Sequence, residues 1–268
     1  MNSTVREPVR QAALDAGRDL GVPEPVTQAF IRLLRPCVHL CSFDNLPEEQ
    51  KQGARAVGRA SGPARLPHDV EAPEDLPHVL TIDCAAIPAG VLDIEFPAAG
   101  QLVIFAEISD YPGEGAVIHL PPEAESAEHP LRVGELQAVE RSETVRPDFY
   151  EPFALYAVPG TTMPDLSRWS HVSEAAQYAE GDAERTRLVD RLIGEIDRFL
   201  DARWTHDIQL GGHSRAWQNP VEDRGHVLFI RIPEGAVCDG NDYLTLIAGH
   251  PEQLAERRYD ELEFEVEC

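Results

Sequence analysis

Residues 101–108 read Gln-Leu-Val-Ile-Phe-Ala-Glu-Ile, and this run limits the folds open to the chain more than any other. Leu102, Val103, Ile104, Phe105 and Ala106 follow one another without a polar break. So short a continuous apolar run, entered through the turn residues Pro97 and Gly100, predicts a strand covered on both faces. The chain must therefore build a sheet with material on either side of it. Further strands are predicted at 37–43, 79–84, 116–120, 153–158, 227–232 and 243–248. Glycine and proline punctuate them, and Pro159-Gly160 is read as the stop of the 153–158 run. The 22 prolines are roughly 8% of the chain against a usual ~5%, which favours many short elements over a helical bundle. The last run, 259–267, alternates. Leu262, Phe264 and Val266 share one face, and Glu261, Glu263, Glu265 and Glu267 share the face expected to meet water.

Helical spacing appears in two places. Val5, Val9, Ala12, Ala13 and Ala16 predict a first helix ended by Gly21-Val22-Pro23, and Pro25 opens a second through Phe30, Leu33 and Leu34. Leu188, Leu192, Ile196 and Leu200 form the apolar stripe of a helix over 182–202, with Asp182 as its N-cap. Residues 45–75 are polar and rich in Gly, Pro, Ala and Arg, and read as loop. Together these elements predict an α+β fold in one compact domain over 1–268. A helical extension covers 1–36, one β-rich half 37–160, a linking amphipathic helix 174–204, and a second, related β-rich half 205–268. The sheets are expected to be mostly antiparallel. Within the chain, residues 97–105 faintly echo 235–247.

Charge narrows the partners. Forty-seven acidic residues face 23 basic ones, a net −24, and no Arg/Lys run exists to build a basic patch. Such a surface repels phosphate backbones, so nucleic acid is not an expected partner, whereas a basic protein is attracted to it. No stretch of 18 apolar residues is present and no membrane association is expected. The five cysteines, Cys37, Cys41, Cys84, Cys238 and Cys268, are scattered without a CxxC pair, which reads as a reduced, cytoplasmic chain. Cys37 and Cys41 share a strand face with His39, but four residues along a strand span roughly 13 Å, too far for one metal ion.

The candidate ligand-binding residues are Gly211, Gly212, His213 and Gln218. A glycine pair after an apolar-alternating run marks a turn with positive φ, whose amides can face a ligand beside a titratable histidine. The alternative is a structural turn with His213 on the surface. No GK[ST] follows the pair and no GxGxxG, GxSxG or HExxH is present. Asp165, Ser167, His171 and Ser173 have hydrolase residue types without hydrolase spacing. His206 and His213 can approach Asp207 or His226 across strands, and Asp239, Asn241 and Asp242 look like the start of a calcium loop that is not completed. No catalytic residue, metal or cofactor is expected.

Several segments resemble the YwqG-like family, a bacterial group of unknown function. The segments are 210–213 with Gln218, the strand at 79–84, the turn and strand at 96–105, and the strand at 244–247 followed by 253–260. Their order and spacing span most of 79–268. The chain departs from the family at 58–63, where a Gly-Gly-Xaa-Pro turn is altered, and at 229–233 and 239–241, where an acidic stretch is replaced. The resemblance implies two related β-rich halves and, because some members are linked with toxin genes, an immunity- or antitoxin-like role. With the −24 charge, it makes an acidic binding protein with a basic protein partner the leading expectation. The second is a small-molecule or peptide-binding enzyme with its pocket between the halves, near Gly211-Gly212.

Overall fold

The structure is a computed structural model that describes residues 3–73, 76–108, 113–124, 127–128, 148–166, 169–201, 207–239 and 243–268. Its helices are α1 (Ser3–Leu20), α2 (Glu24–Arg32), α3 (Glu48–Lys51), α4 (Ser173–Ala179), α5 (Ala183–Asp201) and α6 (Pro251–Ala255). α1 ends where expected, at a left-handed Gly21 with φ +70°. The Gly21 amide donates to the Arg18 carbonyl and the Val22 amide donates back to Gly17, which closes the last turn and reverses the chain. Pro25 sits in the first turn of α2, where a missing amide hydrogen costs nothing. Asp182 caps α5 as its sequence position predicts, its carboxylate accepting from the Glu184 and Arg185 amides at 2.9 and 3.1 Å. The apolar stripes of α1, α2, α4 and α5 meet one another and bury Ala13, Phe30, Val189 and Leu192 in a helical layer.

The strands are β1 (Arg35–Cys41), β2 (Gly58–Ala60), β3 (Arg65–Leu66), β4 (His78–Asp83), β5 (Gln101–Ala106), β6 (Gly115–Leu120), β7 (Ala127–Glu128), β8 (Asp148–Phe149), β9 (Phe153–Thr162), β10 (Ile208–Leu210), β11 (Val227–Ile232), β12 (Cys238–Asp239), β13 (Leu244–Gly249) and β14 (Glu263–Glu267). Ten of them form one antiparallel sheet in the order β14-β13-β11-β10-β1-β9-β2-β4-β5-β6. β3 pairs with β7 and β8 with β12, outside that sheet. The α+β class and the antiparallel pairing are as expected. β5 is covered on both faces, as its composition demands. Leu102 and Ile104 point into the main core, and Val103 and Phe105 into a separate cluster with Leu66 and Leu120.

The long sheet curls until its two edges approach. Side chains on Gly113 and Gly115 would strike Val266 and the Phe264 ring of β14, so bare backbone is what lets the β6 edge reach the β14 edge. Aromatic contacts bridge the inside of this curl. Phe96 packs on Phe229, Phe229 stacks on Tyr259 with ring centres 5.5 Å apart, and His119 of β6 meets Tyr259 at 5.9 Å.

Three expectations are corrected. First, the segment read as loop contains β2, which lies mid-sheet between β9 and β4. Only three residues long and beginning with glycine, it has no periodicity to detect. Gly58 is there because a side chain would collide with the Thr81 carbonyl. Second, Pro159-Gly160 does not stop β9, which continues to Thr162 against β1. β2 covers only Phe153 to Leu155, so among the described residues the far edge of β9 has no strand to serve at Pro159 and a missing donor is tolerated. Third, the acidic face of β14 is not all solvated, because Glu267 is buried, and residues 259–261 form a 3-10 turn rather than strand. Residues 131–143, where the sequence predicts no definite element, lie outside the described residues.

Candidate functional site

β10 runs directly into the glycine pair. Gly211 and Gly212 both have positive φ, +63° and +74°, and a side chain on Gly212 would strike Thr162 Oγ1 and lie 3.0 Å from Cys37 Cβ. The turn is tied down in every direction. The Gly212 amide donates to Asp93 at 2.9 Å, and the His213 amide donates to Thr162 Oγ1 at 2.8 Å. The Gln209 side-chain amide donates to the carbonyls of Gly211 and His213. His213 is buried rather than at the surface, and its Nε2 lies 2.8 Å from the Leu33 carbonyl. A carbonyl only accepts, so Nε2 carries the proton. Burial lowers the His213 pKa, with the Leu33 bond partly opposing, so its 3.8 Å approach to Glu222 is that of a neutral ring.

The chain beyond is held equally firmly. Glu222 accepts from the Ser214 amide and hydroxyl, both at 2.7 Å. The buried Glu267 carboxylate accepts from the Trp217, Gln218 and Asn219 amides, the last at 2.7 Å. Exposed Gln218 donates to the Cys268 carbonyl at 2.6 Å. The polar groups of Gly212, His213 and Gln218 thus turn toward their own chain, the glycine turn and His213 toward Asp93, Thr162 and Leu33, and Gln218 toward Cys268.

Their neighbours in sequence do face open space. Gln209, Arg215, Ala216 and Trp217 form one wall of a cleft of about 700 Å³ between α5 and the sheet. Its floor is a cross-strand row. His39 of β1 is opposite Gln209 of β10, and Gln209 is opposite Arg231 of β11. Paired residues project to the same face of a sheet, and the residues flanking this row, Val38, Leu40, Ile208, Leu210, Ile230 and Ile232, lie in the main core on the other face. His39 is 4% and Gln209 3% exposed. The roof comes from α5 through Asp190, Gly194 and Asp197. Asp190 accepts from Trp169 Nε1 at 2.6 Å, and Asp197 pairs with Arg215 at 3.2 Å. Asp165 and Trp217, the latter 47% exposed, complete the mouth.

Burial first, and then the nearby Arg231 charge, lower the His39 pKa to about 3, so its ring is neutral. The lining thus holds two guanidinium groups, Arg231 and Arg215, and three carboxylates, Asp165, Asp190 and Asp197, of which Asp197 is paired with Arg215. Buried Cys37 lies 3.3 Å from His39, and burial raises its thiol far above the ordinary range. Burial likewise raises Cys41 to about 12. Neither sulfur is a ready thiolate or ligand.

Among the described residues no group of three or more His, Cys, Asp or Glu is placed to hold a metal, and no helix is long and apolar enough to cross a membrane. His206, Ser167, Asn241 and Asp242 lie outside those residues, so the arrangements that needed them do too. Asp239 accepts from the Tyr150 hydroxyl at 2.9 Å. The row His39–Gln209–Arg231 escapes sequence reasoning because it exists only through register. Its single local sign is a polar residue set between apolar ones in each strand. Comparison of the chain with protein-family models and with curated proteins finds no match.

Proposed function

We propose that this protein works by binding, as an acidic partner of a basic protein, in the manner of an immunity protein or antitoxin. The observation that carries the reading is the mouth of the cleft, where Asp165, Asp190 and Asp197 stand beside Trp169 and Trp217. Carboxylates suit a guanidinium or ammonium group, and the exposed Trp217 indole in the same lining offers it a ring. The net −24 adds long-range attraction that speeds encounter with a basic surface and weakens with salt. In this reading Gly211, Gly212 and His213 hold the Arg215–Trp217 wall in place, and Gln218 anchors it to the chain end. The protein acts in the cytoplasm and belongs with the YwqG-like group. Its two β-rich halves are related, a view supported by β5 and β13 each lying second from an edge of the sheet.

The test is a tagged pull-down from the native host, eluted with rising salt and read by mass spectrometry, beside the variant Asp190→Lys/Asp197→Lys. A basic protein released at moderate salt, and captured at least tenfold less by the variant, is the expected outcome. Capture that ignores both salt and charge reversal would overturn the reading.

A second reading, a small-molecule or peptide-binding enzyme, is favoured by the cleft volume, which lies within the ~300–1,000 Å³ of ligand pockets. A thermal-shift screen of metabolites and peptides tests it, with Gly194→Leu as the blocked control.

A further inference from the structure

We infer that Glu267 is a positioning residue for the cleft: from the edge strand β14 it fixes where the Trp217 indole stands at the mouth. The inference deepens the reading of the mouth as the landing place of a basic partner, and its consequence for binding rests on that reading.

Three observations carry it. The first is how little else holds the wall. Residues 214–219 belong to no helix or strand. Trp217 is 47% exposed, so its own side chain supplies little packing to fix it. Ala216 is buried, but it gives a single methyl group to the cluster with Val221, Leu228 and Leu246.

The second is the convergence of three consecutive amides on one carboxylate. The Trp217 and Asn219 amides donate to Glu267 at 2.5 and 2.7 Å, and the Gln218 amide lies between them at 3.3 Å from both oxygens. Hydrogen bonds to an ionised carboxylate are stronger than neutral ones, and this carboxylate is buried, where water competes little. It therefore fixes the backbone from which the Trp217 side chain projects. Glu267 does not itself line the cleft, so its effect on a ligand there runs through Trp217.

The third is Arg215. Its φ of +48° is left-handed, a conformation that a residue other than glycine keeps only when its surroundings enforce it. On one side Glu222 holds the Ser214 amide and hydroxyl, and Asp197 of α5 holds the Arg215 side chain at 3.2 Å. On the other side the clamp is Glu267. Its release lets Arg215 relax, and Trp217, two residues on, moves with it.

Fluorine NMR of the full chain labelled with fluorotryptophan tests this. The chain has three tryptophans, and Trp217→Phe and Trp169→Phe identify two of the signals by their loss. Glu267→Ala should shift and broaden the Trp217 resonance and leave that of Trp169 in place. Glu267→Gln keeps one acceptor oxygen and should shift it less. A role in stability alone would leave the Trp217 resonance of the folded variants where it is in the wild type, and that result would overturn the inference. Should Glu267→Ala not fold, the Glu267→Gln shift decides in the same way. Calorimetric titration with hexa-arginine amide reads the consequence. Glu267→Ala should bind at least fivefold more weakly than the wild type, and should make no further difference in a Trp217→Ala background. Equal weakening with and without Trp217 would overturn the inference. If the wild type ignores hexa-arginine, the partner reading fails, and the resonance by itself upholds or overturns the placing of Trp217.

Discussion

At the scale of single residues, the side chains of greatest consequence are buried polar ones joined to distant parts of the chain. Glu267 shows this most directly. It occupies the face of β14 that alternation assigns to water, yet it is 5% exposed and collects three amides from residues 217–219, some fifty positions earlier. Nothing in its sequence surroundings separates it from Glu263 or Glu265, because the separation is made by the loop folded over it. Glu267→Ala leaves those donors without their acceptor and should cost about 1–3 kcal/mol, measured by urea unfolding, with Glu267→Gln recovering part of the loss. A loss below 0.5 kcal/mol would show that solvent replaces the carboxylate. His213 teaches a similar lesson. It was legible as special from its place after Gly211-Gly212, but its side chain serves Leu33 in the helical layer and not the cleft.

At the scale of elements, local rules succeeded wherever an element answers to its own sequence. The ends of α1, the proline in α2 and the Asp182 cap of α5 were all legible. Asp182→Ala should lower stability by about 1 kcal/mol, read as a shift in denaturation midpoint, and Asp182→Ser should restore most of it. Local rules failed where the neighbour decides. β2 is a strand because β9 and β4 leave a gap that only a slim backbone fills, and β9 crosses Pro159-Gly160 because, among the described residues, no strand pairs with its far edge there. A side chain on Gly160 would lie 2.6 Å from the His39 ring, so this glycine makes room for the cleft floor rather than ending a strand. The cleft follows the same logic. The residues singled out from the sequence, Gly211, Gly212, His213 and Gln218, do not line it, and its floor was not legible, since register alone sets His39, Gln209 and Arg231 in line.

Across the whole molecule, folding buries histidines in their neutral form. His39 is depressed to about 3 and His78 to about 4, each chiefly by burial, and His213 is lowered by the same cause. His78 is held neutral by geometry as well. Its Nδ1 donates to the Gly62 carbonyl at 2.9 Å, so Nε2 accepts from the Thr81 hydroxyl at 2.8 Å. In the unfolded chain the His39 and His78 rings bind protons near pH 6.5, whereas the folded chain refuses them until about pH 4 and below. The unfolded state therefore holds more protons over that window. The stability contribution is complete above pH 6.5 and declines as pH falls toward the folded values, at about 1.4 kcal/mol per pH unit for each fully linked proton. Melting temperature should fall steadily from pH 6.5 to 4.5, and His78→Gln should flatten the slope. A melting temperature constant across that window would show that the rings titrate freely in the folded protein.

The sequence by itself determined the α+β class, the helix ends, the doubly covered β5, the glycine turn and the acidic surface. Each depends on contacts within a few residues or on composition, so the information lies where it is used. Tertiary structure alone decided that the sheet runs to ten strands and curls until Gly115 meets Phe264, that Glu267 turns inward, and that a polar floor lies opposite Gly194. These are relations between residues dozens to hundreds of positions apart. They are set by strand order and register, which no local pattern of side chains encodes.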